Sequence, residues 1–202
     1  MKILMTPTSP YARKARVIAL EKQIPCEMIP AAVWDDDPRV LAANPLHKVP
    51  ALILADGAAV VDSRVICEYL DSLSDSPRFL PADADARLAT KTREALVEGA
   101  TDSALSLIMA KKVAPDVAIA AKWRQWLFGK TERVLDALEK DAAGRGGMDV
   151  SDVACFCFLD FWLFRMPLTG WADWRDSRPR LAEWFARAAD RQSFVETDPR
   201  KS

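Results

Sequence analysis

The sequence predicts an α/β N-terminal domain of order β-α-β-α-β-β-α, followed by a C-terminal domain made only of helices. Three observations predict this. Within the first 80 residues, short apolar runs of strand length alternate with helix-period segments. Residues 74–85, Ser-Asp-Ser-Pro-Arg-Phe-Leu-Pro-Ala-Asp-Ala-Asp, hold two prolines among turn formers and read as a linker. Beyond them every long segment is rich in alanine and leucine at helical spacing. The expected domains are 1–78 and 86–202, and 202 residues suffice for two small cores.

The elements follow in order. Residues 1–5 and about 26–30 read as strands that flank a helix from Pro10 to about Lys22, in which Tyr11, Ala15 and Ile18 recur at helical spacing. After the acidic stretch Trp34-Asp35-Asp36-Asp37-Pro38, a short helix runs to Ala43. Val49 to Leu54 and Ala58 to Val61 form a hairpin turning at Asp56-Gly57, and a helix follows from Arg64 to about Leu73. In the second domain, helices are expected over 86–112 and 116–142, broken by Pro115, with Gly144-Arg145-Gly146-Gly147 stopping the second. A very apolar helix starts at Asp149 and runs to about Arg165. Asp149 and Asp152 have capping-box spacing, with Met148 opposite Val153 as a hydrophobic staple. Ser177 is placed to cap a last helix that carries Leu181, Trp184, Phe185 and Ala188.

Composition excludes several classes of function. Lys and Arg number 28 against 29 Asp and Glu, and residues 1–80 carry nine basic and ten acidic side chains. No basic face for nucleic acid results. No apolar run approaches the roughly 20 residues of a membrane span, and the first residues are too short in apolar character for a secretory signal. A cytoplasmic protein is expected. The four cysteines form no zinc pattern, and Cys155 and Cys157, at i and i+2 of a helix, point apart. They read as small buried hydrophobes, and no metal is expected. Trp123, Trp126 and Trp162 read as core or interface residues.

Three short segments could carry chemistry. Ser9 stands between a strand and a helix whose first residue is Pro10. It can cap that helix, or offer its hydroxyl to an anion where free N–H groups and the helix dipole converge. In Asn44-Pro45-Leu46-His47-Lys48-Val49-Pro50, a cis Val49–Pro50 bond would leave the Val49 backbone unpaired by the sheet and able to bind an extended peptide. A trans bond would make it an ordinary strand start. Lys48 beside it can meet a carboxylate or water. Asp62-Ser63 can cap the next helix, or hold the ammonium and carboxylate of a small zwitterion. His47, the only histidine, lies in a loop and reads as solvated. No Gly-x-Ser-x-Gly elbow accompanies Ser9, so a Ser-His-Asp hydrolase is a poor reading.

Together these segments resemble the glutathione transferase family, and the resemblance spans nearly the whole chain. Ser9-Pro10-Tyr11-Ala12 is similar to the Cys-Pro-aromatic-Cys motif of thioredoxin-like domains, with serine and alanine in place of the cysteines. Lys48-Val49-Pro50 resembles the cis-proline element, and Asp62-Ser63 the acidic-Ser pair that holds the γ-glutamyl group. Phe79-Leu80-Pro81 resembles the interdomain segment. Asp149-x-x-Asp152 and Arg178-Pro179-Arg180-Leu181-x-x-Trp184, with Arg191-Gln192-Ser193-Phe194, resemble the family's helical part and tail.

The resemblance implies a serine-type transferase, cytosolic and homodimeric, with glutathione as co-substrate and a role in detoxification. Ser9 would donate a hydrogen bond to the glutathione sulfur. Lys48 would face the glycyl carboxylate, Val49 and Pro50 would present backbone to the cysteinyl unit, and Asp62 and Ser63 would bind the γ-glutamyl end. His47 would contact the same ligand, and Asp102 would lie near the dimer interface. The second substrate would be a small-molecule electrophile held between the domains, against the first long helices and the Ser106–Lys112 region. Without cysteines at positions 9 and 12, a mixed disulfide cannot form there. Two other readings share the scaffold: a non-catalytic regulator of the stringent-starvation kind, and a glutathione-dependent isomerase or dehalogenase.

Overall fold

A computed structural model describes residues 1–113, 121–142 and 147–201. The chain divides into two compact units, Met1–Arg87 with Arg191–Ser202, and Leu88–Asp190. Arg191–Ser202, which the sequence places in the helical 86–202 domain, cluster with the first unit.

The first unit is built on a four-stranded mixed sheet in the order β2-β1-β3-β4, from β1 (Lys2–Met5), β2 (Glu27–Pro30), β3 (Ala51–Ile53) and β4 (Ala59–Val61). β1 pairs in parallel with β2, as the helical crossover α1 (Pro10–Glu21) between them requires, while β1–β3 and β3–β4 are antiparallel. Ile3, Leu4 and Met5 are consecutively buried, the pattern of a strand covered on both faces. Leu4, Val40 and Ala51 form a core with Ile29, Ala43, Val49, Ile53 and Val61 against α2 (Pro38–Ala43). α1 packs against α3 (Ser63–Ser72).

Polar knots close this unit where the hydrophobic pattern does not reach. Lys22, 6% exposed, follows α1 and donates from Nζ to Asp71 Oδ1 (3.1 Å) and to the Ser74 and Pro77 carbonyls (2.8 and 2.7 Å). Asp71 also accepts from the Phe79 and Leu80 N–H groups. The buried charge is thus paired and its partners saturated, the condition under which such a pair is tolerated. The C-terminal α8 (Gln192–Glu196) lies along α1. Arg13 Nε donates to Thr197 Oγ1, Arg13 Nη2 donates to the Phe194 carbonyl, and Glu21 accepts from Arg191 and Ser193. These bonds explain why residues 191–202 belong to the first unit.

The second unit is helical: α4 (Ala84–Val113), continuing from the first unit, then α5 (Ala121–Asp141), α6 (Val150–Thr169) and α7 (Pro179–Ala189). Thr90, Glu94, Val97, Thr101, Ala104 and Ile108 form the buried stripe of α4, and Leu127, Thr131, Leu135 and Leu138 that of α5. Every residue from Val150 to Trp162 is buried, including Cys155 and Cys157, so α6 is the central helix. Its start is the expected capping box: Asp149 Oδ1 accepts from the Ser151 and Asp152 N–H groups, and the Asp149 N–H donates to Asp152 Oδ2.

Three local expectations are corrected. α6 continues through Pro167 to Thr169, beyond the expected end near Arg165. Ser177 is not the cap of α7. Pro179 takes the first helical position, Arg178 becomes the cap, and Glu139 of α5 accepts from the Arg180 and Leu181 N–H groups. Trp123 and Trp126 are 40% and 55% exposed, not core, whereas Trp162 is 1% exposed. Trp126 lies one residue off the buried stripe of α5, with Lys130 Nζ 3.4 Å from its ring centre. Pro115, residues 116–120 and the stop at 144–146 lie outside the described residues. Among those residues, no helix is long and apolar enough to cross a membrane.

Candidate functional site

The sheet register gathers the three segments at one edge. Leu4 of β1 pairs with Ala51 of β3, and Ala51 pairs with Val61 of β4. The chain therefore leaves β1 toward Ser9, enters β3 from Pro50, and leaves β4 toward Asp62, all at the same end. Met5 is opposite Pro30 in the parallel pair, so the segment after β2 that carries Asp36 starts from this end too.

Ser9 is the N-cap of α1, with extended backbone (φ −76°, ψ 122°) and Pro10 in the first turn. Its Oγ accepts from the Ala12 N–H at 3.2 Å. A hydroxyl that accepts still has its own proton to donate, so the cap and a donor to an anion are compatible roles for one side chain. The Ser9 carbonyl accepts from the Arg13 N–H (2.9 Å), and Arg13 is fastened to residues 194 and 197. The first turn of α1 is thereby held in place.

The Val49–Pro50 bond is cis. Pairing in β3 begins at Ala51, so Val49 has no place in the ladder. Asn44, 3% exposed, organises the approach: its Nδ2 donates to the Lys48 carbonyl, its Oδ1 accepts from Leu46 N–H, and its carbonyl accepts from His47 N–H. Lys48 points to solvent, with no carboxylate partner among the described residues. His47 differs from the solvated loop histidine expected. Its side chain is 18% exposed, Nδ1 lies 3.6 Å from Asp36 Oδ1, and Nε2 is buried with no hydrogen-bond partner.

Asp62 caps α3 from a left-handed backbone (φ 71°, ψ 126°), and Ser63 is the first residue of the helix, 5% exposed. A non-glycine residue in that conformation stores about 1–3 kcal/mol, which the surrounding structure must offset. The Asp62 carboxylate accepts from Arg64: backbone N–H at 2.8 Å, Nε at 3.1 Å and Nη2 at 2.8 Å. The Arg64 guanidinium, against the opposing effect of burial, holds the Asp62 carboxyl down at about 2, with help from the Arg64 N–H and the field of Lys14. The carboxylate stays ionised through the physiological range.

Two further charged residues at this end of the sheet, Arg64 and Lys14, act on Asp62 and were not singled out by the sequence. Arg64 donates to the Asp62 carboxylate from its backbone N–H, Nε and Nη2. Its signal is the Asp62-Ser63-Arg64 spacing, in which a cap and a cation two residues on meet over one turn. Lys14 is 1% exposed on α1 and close enough for its charge to act on Asp62. Its signal is a cation on the buried face of an amphipathic helix. Asp102 is exposed on α4 of the second unit. Among the described residues no group of three or more His, Cys, Asp or Glu could hold a metal ion.

Comparison with known proteins gives concordant results. Residues 5–78 match the glutathione S-transferase N-terminal domain, and residues 112–187 match the C-terminal domain. The uncharacterised GST-like protein YibF of Escherichia coli (strain K12) is 30% identical over 206 residues, covering 100% of both chains. A glutathione S-transferase from Methylobacillus flagellatus KT, solved with glutathione bound, superposes with a TM-score of 0.91 at 36% identity, covering 98% of each chain. A transferase family member from Pseudomonas fluorescens Pf-5, solved with S-(propanoic acid)-glutathione, superposes with a TM-score of 0.82 at 28% identity. It covers 98% of this chain and 99% of that one.

Proposed function

Since the chain belongs to the glutathione S-transferase family, we propose that it binds reduced glutathione along this sheet edge, activates its thiol through Ser9 and adds it to an electrophilic small molecule. The observation that carries the reading is the register that brings Ser9, Val49 and Asp62-Ser63 to one end of the sheet. An extended tripeptide laid there would set its sulfur at the start of α1, its cysteinyl backbone against Val49 and its ammonium at Asp62. Pro50 would shape that approach, while Lys48 would serve the glycyl carboxylate and His47 the wall behind it.

The chemistry this asks of the chain is modest. A free thiol of pKa ~8.5 is only about 3% thiolate at pH 7. Lowering that pKa by two units needs ~2.7 kcal/mol of preferential stabilisation of the anion. One hydroxyl donor to a charged acceptor supplies about 1.5–3 kcal/mol, and a helix N-terminus about 0.3–1 kcal/mol more. The thiolate sulfur then forms a bond to the electrophilic carbon, and the displaced electron pair leaves with a departing group or moves onto a conjugated acceptor. No bond to the protein is needed, because holding two reactants together is itself a large part of the rate enhancement. The S-(propanoic acid)-glutathione held by the Pseudomonas relative has the form of such a product.

The protein is proposed to work in the cytoplasm as a homodimer. No disulfide joins its described cysteines, three of which are buried, which suits a reducing compartment. Leu46 and Val65 in the first unit, and Leu88 and Leu96 in the second, are more than half exposed, apolar surface that a second copy would cover. Asp102 is assigned to the neighbourhood of that contact. Light scattering on the purified protein reads the oligomeric state. Titration with reduced glutathione, followed by a screen against several electrophiles, tests the function. Absence of binding at millimolar glutathione would sink it.

A further inference from the structure

Arg165 is an anomaly in the second unit. It lies on α6 just after the fully buried run that ends at Trp162. Its Nε is buried without a hydrogen-bond partner, and among the described residues no carboxylate pairs with its guanidinium. What surrounds the charge is aromatic: the guanidinium carbon is 5.5 Å from the Phe161 ring centre and 4.6 Å from that of Phe164. Trp162, three residues earlier on the same face, packs at a tilt on Trp171, with centroids 4.3 Å apart, and on Phe128.

Arg165 as a whole is half-buried, and a more deeply buried arginine of the same unit is handled differently. Arg178, 6% exposed, is met by Glu132, Asp136 and Ser177. Arginine cannot shed its charge to escape burial, so Arg165 stays cationic even though burial pushes its pKa down. Ring faces offset only part of the lost hydration. The group left over is a planar fork of donors with one positive charge, framed by aromatic rings.

We propose that Arg165 anchors a binding site for a small aromatic carboxylate. The carboxylate meets the guanidinium fork, and the ring of the ligand lies against Phe164, which is only partly buried. A single guanidinium balances a monoanion, and its planar fork matches a carboxylate in a bidentate pair. As the second substrate of the proposed conjugation, the compound would be an aromatic acid with an electrophilic carbon. That extension rests on the conjugation reading, whereas the binding site does not.

The test is calorimetric titration, without glutathione, of 4-chloro-3-nitrobenzoate and of its neutral amide into the wild-type chain and Arg165→Gln. The wild type is expected to bind the acid at least about tenfold more tightly than the amide. Arg165→Gln removes that preference and leaves the affinity for the amide unchanged. If the Gln variant does not fold, Arg165→Lys keeps the charge without the fork and retains only part of the preference, and added chloride weakens the acid but not the amide in the wild type. Equal affinities for the two probes, no binding of either at millimolar concentration, or a preference that survives in Arg165→Gln each overturns the site. Failure of glutathione conjugation bears on the proposed function alone, since these titrations contain no glutathione.

Discussion

Arg64 and Asp62, two residues apart at the start of α3, form a charge-assisted pair in which Arg64 Nη2 donates to Asp62 Oδ2 at 2.8 Å and the Arg64 N–H to Oδ1 at 2.8 Å. The carboxylate assigned to an incoming ammonium is therefore already ionised and oriented before any ligand arrives. Preorganisation of this kind reduces what binding must spend on ordering the site.

Asp62→Asn keeps the shape and the cap but removes the charge. Glutathione affinity is expected to fall about tenfold, or ~1.4 kcal/mol, by equilibrium titration. The folded-state pKa of Asp62 is depressed to about 2. Its contribution to stability is thus fully present above the unfolded value near ~3.9 and is lost as pH falls through about 2. Between pH 5 and 8, neither stability nor glutathione affinity should show a step from this group. A binding step in that window that disappears in Asp62→Asn would contradict the assignment.

Ser9→Ala should leave glutathione affinity largely intact, raise the pKa of the bound thiol by about one unit or more, and slow conjugation in proportion. Ultraviolet absorbance of the thiolate against pH reads the first effect directly. Loss of the cap should also lower stability by about 1 kcal/mol in denaturant unfolding. An unchanged thiol titration would reduce Ser9 to a cap and nothing more.

Arg13→Met removes the guanidinium that ties α1 to Thr197 and to the Phe194 carbonyl while preserving the apolar stem. A loss of about 2 kcal/mol or more is expected in urea, because two charged hydrogen bonds disappear from a buried place. Glutathione affinity should weaken alongside, since Ser9 sits at the other end of the same turn. A variant as stable as the wild type would show that α8 contributes nothing to holding α1.

Asp149→Ala deletes the cap of α6 and the partner of Arg93 Nη2, 2.6 Å away, and of Thr90 Oγ1, 2.9 Å away. The expected cost is about 2 kcal/mol. Asp149→Asn keeps the acceptors for the cap and loses only the charge, so it should recover at least half of that. Equal losses in the two variants would place the whole effect on the Arg93 pair.

What the sequence made legible was local. Ser9-Pro10 marks the start of α1 because cap and first-turn preferences act over a few residues, and Asp149-x-x-Asp152 marks α6 for the same reason. The hairpin at Asp56-Gly57 is a turn signal, and Gly57 adopts the positive φ of 88° that glycine supplies. Long-range partners were not legible. Ser177 looked like a cap because nothing in the neighbouring residues announces that Glu139, some 40 positions earlier, will accept the Leu181 N–H instead. The isomer of Val49–Pro50 stayed open, since both states are available to the same dipeptide. The return of residues 191–202 to α1 rests on Arg13 and Glu21, whose partners lie more than 160 residues away.

That return has a consequence for how the protein is made. The helix that presents Ser9 is made before the residues that satisfy Arg13, which follow it by 181 and 184 positions. At roughly 5–20 residues per second, the interval is about ten to forty seconds. During it, the α1 guanidinium has neither Thr197 nor the Phe194 carbonyl, and the first unit lacks one wall. The order of synthesis therefore keeps this unit from its finished state until residues 191–202, which cluster with it, have been made.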